Sequence, residues 1–460
     1  MNPRPDSPAR SARRVAFDVV HAVSTDDAYA NLLLPGRLRE ARLSAADAGF
    51  ATELTYGTLR GRGFYDAVIE RATGRAVDRI DSPVLDVLRL GAHQLLTLGT
   101  PPHAAVDESV RLVRQVGSAR AAGFVNAALR RVSERDLDSW RAELSRGISD
   151  PDALLAIRHA HPEWVVRALR AALAAEGRED ELDALLAADN APPRVTLVAL
   201  PGLADAPDDD RDERTAFSPL GIRAAAGDPA ADAGVAAGTR RVQDEGSQLA
   251  ALALSRVRPA RAGERWLDLC AGPGGKAALL AAEARTAGAT LTANEAVPAR
   301  AELVRRALAP VDPSLTVRVG DGRGIARDAA ESFDRVLVDA PCTGLGALRR
   351  RPEARWRKTV DDVAPLATLQ TELLTAALDA TAPGGVVAYV TCSPHLAETR
   401  DVVDAVLGAR DDAVAIDTRA VLASVTRTPL DLGDRGTAVQ LWPHRHASDA
   451  MFIQLFERRR

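Results

Sequence analysis

Two of the three cysteines in this 460-residue chain stand in short proline-containing loops that follow apolar runs: Asp339-Ala340-Pro341-Cys342-Thr343-Gly344 and Thr391-Cys392-Ser393-Pro394. A lone cysteine is more often a small buried hydrophobe than a nucleophile. Two at the ends of neighbouring strands point to thiol chemistry in a shared crevice. The remaining one, Cys270, lies on the strand side of a glycine loop and reads as packing. That loop, Cys270-Ala271-Gly272-Pro273-Gly274-Gly275-Lys276, runs into the helical pattern AALLAAEAR. Its glycines let the backbone approach a ligand closely, and the helix start behind them presents unpaired N–H groups. Neither GxGxxG nor GxxxxGK[ST] occurs there, which argues against a dinucleotide and against a P-loop nucleotide. Glu295, following Asn294, lies about twenty residues beyond the glycines, the offset at which doubly wound folds hold ribose hydroxyls. Asp321, in Gly320-Asp321-Gly322-Arg323, is an acid in a tight turn suited to an adenine amino group. These three strand ends in order suggest an adenosine-containing cofactor.

Such residues need a sheet whose strand ends converge. WLDLC (266–270), TLTANE (290–295), TVRVGD (316–321), RVLVDA (335–340) and GVVAYVTC (385–392) are short apolar runs separated by helical patterns. That alternation predicts an α/β Rossmann-like domain, a mostly parallel sheet with helices on both faces and ligands at the carboxyl ends of its strands. The tail AVQLWPHRHASDAMFIQLFER reads as a closing antiparallel hairpin.

Upstream, residues 12–145 read as helix after helix, with Ala16, Val19, Val20 and Val23 on one helical face. Residues 149–240 form a connector. They open with Ala-rich helix, then shift toward Ala, Gly, Pro and Asp, with a short strand RVTLVAL and an acidic run PDDDRDE. Three parts are therefore expected: 1–148 helical, 149–240 connector and 241–460 α/β.

Hydrophobic residues make up 46% and charged residues 27%, which excludes a fibrous or largely disordered chain. The polar N-terminus is no secretory signal, no apolar run is long enough for a membrane span, and so few cysteines build no disulfide framework or zinc site. Cytoplasm is the default reading. A net charge of −4 gives no global basic field, although a local stripe suffices for nucleic acid. Arg349, Arg350, Arg351, Arg355, Trp356, Arg357 and Lys358 form the densest basic stretch. A charge run is usually a solvated face, but an aromatic among arginines beside a crevice suits RNA, joining phosphate contacts to a stacking surface.

The set CAGPGGK, NE, GDGR, DAPCTGLGALRRRPEARW and VTCSP resembles the RsmB/Nop family of S-adenosylmethionine-dependent RNA 5-methylcytosine methyltransferases over about residues 240–460. PPHAAVDESVRLVRQV and GFVNAALRRV resemble a NusB-like RNA-binding extension. The resemblance implies methyl transfer from S-adenosylmethionine to carbon 5 of a cytosine in 16S (small-subunit) ribosomal RNA, by a monomer without metal or membrane. It makes Cys392 the nucleophile that adds to carbon 6, gives Cys342 a part in product release, and places Asp339 against the base ring. Lys276, one of only two lysines, becomes a cation that favours the Cys392 thiolate. Residues 270–276, Glu295, Asp321 and Asp339 would line the cofactor pocket. Two departures stand out: Gly272 replaces the usual alanine, and Glu398 is followed by Thr399 where the family often has asparagine. The alternatives are the same chemistry on transfer RNA or another ribosomal site, and a non-catalytic RNA-binding protein. A dehydrogenase fares worst, because the glycine spacing is wrong.

Overall fold

A computed structural model describes residues 11–206, 213–225, 227–433 and 435–459. Most of the acidic run and the first ten residues lie outside the described residues. The chain divides into two compact units: the described residues up to Arg167 together with Arg350–Arg357, and Ala168–Arg349 together with Lys358–Arg460. Of the stretch read as a connector, residues 149–167 fall in the first unit and the rest in the second.

The first unit is helical. Its starts are fixed locally, with the Ser11, Ser44, Asp136 and Asp150 side chains accepting from N–H groups of the helices that follow. The predicted face of the helix Ala12–Thr25 is buried at Val15, Ala16, Val19, Val20 and Val23. Helix Ser82–Leu96 is enclosed over most of its length. Burial so complete forces its one carboxylate, Asp86, to be matched by donors from Arg89, His21 and Ser24.

The second unit begins with a small antiparallel sheet in which β1 (Thr196–Ala199), the strand expected in RVTLVAL, lies between β2 (Gly221–Arg223) and β3 (Arg240–Val242). The large sheet follows: β4 (Arg265–Asp268), β5 (Thr290–Glu295), β6 (Thr316–Val319), β7 (Phe333–Asp339), β8 (Thr381–Thr391), β9 (Ala413–Ile416), β10 (Val439–Gln440) and β11 (Phe452–Arg458). Its order is β10-β11-β8-β7-β4-β5-β6, with β9 also paired to β11. Pairing is parallel from β8 through β6, while β11 runs antiparallel to β8, β9 and β10. The hairpin is thus where the sequence placed it. Helices Glu245–Ser255 and Gly275–Thr286 contribute to one apolar layer, and Val363–Ala380 and Arg400–Ala409 to the other. Two covered faces explain why the strands read as continuous apolar runs rather than as alternation.

Candidate active site

The parallel register sets Asp339 of β7 beside Val390 of β8, and the Ala340 N–H donates to the Val390 carbonyl at 2.9 Å. The two cysteine loops therefore leave the sheet side by side. The Cys342 and Cys392 sulfurs stand 3.5 Å apart, and both residues are half-buried. A glycine at 346 makes this approach possible. Its N–H donates to the Cys392 carbonyl at 2.8 Å, and a Cβ there would lie 2.0 Å from the Ala450 oxygen and 2.8 Å from the Cys392 oxygen.

Lys276 opens the helix behind the glycine loop, and its Nζ donates to Asp339 Oδ2 at 2.8 Å. Burial opposes the Lys276 charge, but the Asp339 carboxylate, with Cys392 beyond it, holds the lysine pKa above its ordinary value. Cys392 is lowered from the ordinary thiol value, chiefly by the hydrogen bond from Cys342 and also by the Lys276 charge, against burial and Asp339. Cys342 is raised, first by that same hydrogen bond, then by burial, the Cys392 charge and Glu398. The two thiols are therefore shifted in opposite directions, Cys392 down and Cys342 up. Cys270 is instead pushed up by burial and packs against the apolar layer, as its sequence reading held.

At the other end of the site, Glu295 accepts from the Gly272 N–H at 3.0 Å and the Val297 N–H at 2.9 Å. A Cβ at 272 would lie 2.1 Å from Glu295 Oε2, so glycine here lets the carboxylate close onto the loop. Asp321 accepts both from the Arg323 N–H and from its guanidinium, which hold its carboxyl below the usual range. Three further residues have no role assigned from the sequence, where Asn294 reads only as part of the NE strand end. Asn294 donates to the Leu269 and Gly320 carbonyls at 3.0 Å each and ties three strand ends together. Asp449, fully buried, has a charge that Cys392 senses, and its N–H donates to Asp244. Asp268, at the end of β4, is also buried, and neither of its oxygens makes a full hydrogen bond among the described residues. Burial first, then the Asp339 charge, pushes its pKa up to about 8. An orphaned acid, a strand-end carboxylate and open space at Gly275 are what a polar, cationic adenosine cofactor would meet.

The arginine-rich stretch divides between the two units. Arg349 is buried and donates to the Ala447 carbonyl. Arg355 has no exposed surface, and its guanidinium lies on the Arg60 and Ala160 carbonyls. Arg351 and Arg357 approach the Tyr29 ring at 5.6 and 4.4 Å, and Trp356 covers Gly63. Lys358 pairs with Asp362 at 3.5 Å. Arg350, Arg351, Trp356, Arg357 and Lys358 are all half-buried. Thr399 is enclosed, its hydroxyl closing a local turn onto the His395 carbonyl at 2.9 Å.

Known proteins place this arrangement. Residues 257–457 match the family described as 16S rRNA methyltransferase RsmB/F, and residues 10–134 match the NusB family. A ribosomal RNA small subunit methyltransferase B from Pseudomonas syringae is 32% identical over 433 residues, covering 88% of each chain. The chain belongs to the RsmB/F methyltransferase family. A Mycobacterium tuberculosis protein named only as a methyltransferase is 48% identical over all of both chains. The solved structure of PH0851 shares the fold at a TM-score of 0.79 and 20% identity, covering 99% of this chain and 100% of that one. The protein is accordingly an enzyme of an S-adenosylmethionine-dependent family, with a NusB-type helical region ahead of a Rossmann-like domain. Among the described residues no helix is long and apolar enough to cross a membrane.

Proposed function

We propose that the enzyme methylates carbon 5 of a cytosine in small-subunit ribosomal RNA through a covalent adduct with Cys392. The observation that carries this reading is the sulfur pair 3.5 Å apart, with the Lys276–Asp339 ion pair at 2.8 Å beside it. S-adenosylmethionine, when bound, supplies an electrophilic methyl group; residues 270–276, Glu295, Asp321, Asp268 and Asp339 would hold it. The Cys392 thiolate adds to carbon 6, and the ring π pair becomes available at carbon 5, with Asp339 placed to hold a proton at ring nitrogen 3. Carbon 5 takes the methyl group, and the electron pair of the broken bond stays on the departing sulfur.

Once Cys392 is a thioether, the influence that most raised Cys342 is gone. Cys342 then loses its proton to solvent and, as a thiolate, takes the carbon-5 proton. The released C–H pair restores the ring double bond and expels Cys392 as a thiolate. A base undergoing this chemistry must leave its stack, so a single-stranded or remodelled segment is the substrate. Arg350, Arg351, Trp356, Arg357 and Lys358, which keep some exposed surface, and the NusB-type helices are the RNA contacts in this reading. The three-part division at 148 and 240 follows the same roles.

The test supplies labelled S-adenosylmethionine with unmodified small-subunit ribosomal RNA and, separately, transfer RNA, and maps the product by bisulfite sequencing. One methylated cytosine in the ribosomal RNA is expected. Methylation of transfer RNA alone would move the substrate, and cofactor binding without any transfer would leave an RNA-binding protein.

A further inference from the structure

Four hydrogen bonds converge on one buried carboxylate that the reaction itself does not touch. Glu398 has no exposed surface. Its Oε1 accepts from the Thr343 N–H at 2.7 Å and from Gln370 Nε2 at 3.3 Å, while Oε2 accepts from the Thr343 hydroxyl at 2.5 Å and the Ser393 hydroxyl at 2.6 Å. Thr343 follows Cys342 and Ser393 follows Cys392, so a single side chain grips the residue after each cysteine. Gln370 also donates to the carbonyl of Pro341, the residue before Cys342, at 2.8 Å. The gripping residue is itself anchored. Its carbonyl accepts from the Tyr389 hydroxyl at 2.7 Å, which fixes it to β8, and its N–H donates to the His395 carbonyl at 2.9 Å.

We propose that Glu398 is the positioning residue that clamps the two cysteine loops together and holds Cys342 where it can complete the second half of the reaction. Only a carboxylate has the acceptor capacity for this geometry, because an amide presents one oxygen to the same donors. A buried anion matched by oriented donors is rigid, and an ångström of slack between reacting groups is costly in rate. Its negative charge also lies among the influences that keep Cys342 a thiol until Cys392 is consumed. The inference rests on the two-cysteine reading above.

The experiment compares wild type, Cys342→Ala, Glu398→Gln and Ser393→Ala on a small-subunit ribosomal RNA transcript with S-adenosylmethionine. It reads methyl transfer and the RNA-linked enzyme that survives denaturing electrophoresis. Cofactor affinity and melting temperature are measured on each protein. Glu398→Gln is expected to bind cofactor as wild type does, to form the adduct, and to release product at least about tenfold more slowly, as Cys342→Ala does. Ser393→Ala removes one strut and is expected to fall between wild type and Glu398→Gln; it carries the comparison alone if Glu398→Gln does not fold. If Cys342→Ala leaves no adduct, the two-cysteine reading fails. If Cys342→Ala traps adduct while the folded clamp variants release product at the wild-type rate, or lose transfer with no adduct, the clamp is overturned and the chemistry stands.

Discussion

Two buried carboxylates in the same α/β unit are treated in opposite ways. Glu398 is saturated, with four donors from three residues. Asp268, equally enclosed, has no full hydrogen bond among the described residues, and its pKa is pushed up to about 8 by burial and the Asp339 charge. Folded proteins rarely leave a buried acid unmatched. In the proposed reading the difference separates scaffold from ligand surface: the matched acid locks the thiol loops, and the unmatched one is left for a cofactor's polar groups to complete. The cysteines repeat the contrast on a smaller scale, one lowered by its neighbours and the other raised.

The comparison is broken most severely at the saturated end. Glu398→Ala removes the acceptor for the Thr343 N–H and two hydroxyls in a dry site, and is expected to cost about 3 to 5 kcal/mol of stability by urea unfolding. A loss of under about 1 kcal/mol would mean that water replaces the clamp.

Asp268→Asn should do the reverse. An acid with a raised folded-state pKa contributes stability below its unfolded value, near 4, that is lost as pH rises through the folded value of about 8. The asparagine variant is therefore expected to melt higher than wild type at pH 8, by about 2 to 3 kcal/mol, with the gain shrinking toward pH 5, while cofactor affinity falls. Destabilisation at pH 8 would show that the carboxylate is matched after all.

Lys276→Met tests the smaller contrast between the thiols. Cys392 is lowered first by the bond from Cys342 and then helped by the lysine charge, so removing that charge moves the titration of Cys392 upward and slows its alkylation at pH 7 severalfold, about one kcal/mol of thiolate stabilisation. Peptide mapping after iodoacetamide treatment across pH 6 to 10 reads this directly. An unchanged midpoint would remove the lysine from the thiolate's support.

The smallest effect belongs to His446, which burial pushes down to about 4. A depressed folded-state pKa gives stability that is present above the ordinary histidine value and lost as pH falls toward 4. His446→Gln, which keeps an acceptor for the Trp442 N–H, should flatten the acid side of the stability curve by about 1 kcal/mol.

The cysteine loops, glycine loop and five main strands were legible because each is a local pattern: an apolar run of strand length ending in glycine, proline or an acid. Strands β2 and β3 were not, since three residues each make no apolar run, and β9 was not, since nothing in its sequence sets it apart from the helical patterns around it. Glu398 stood out in the sequence only as a neighbour of Thr399. Its role depends on donors at 343, 370 and 393 that converge only in the folded chain. The arginine stretch misled most, because its composition suits a solvated or RNA-facing surface while folding encloses Arg349 and Arg355. Guanidiniums can be buried where carbonyls converge to receive them, and composition does not show where that happens.

The account turns on which sulfur attacks the base. Cys342→Ala enzyme, incubated with S-adenosylmethionine and small-subunit ribosomal RNA, digested and sequenced by mass spectrometry, should carry a methylated cytidine on the peptide containing Cys392 and on no other. An adduct on Cys270, or methyl transfer that survives in Cys392→Ala, would contradict it.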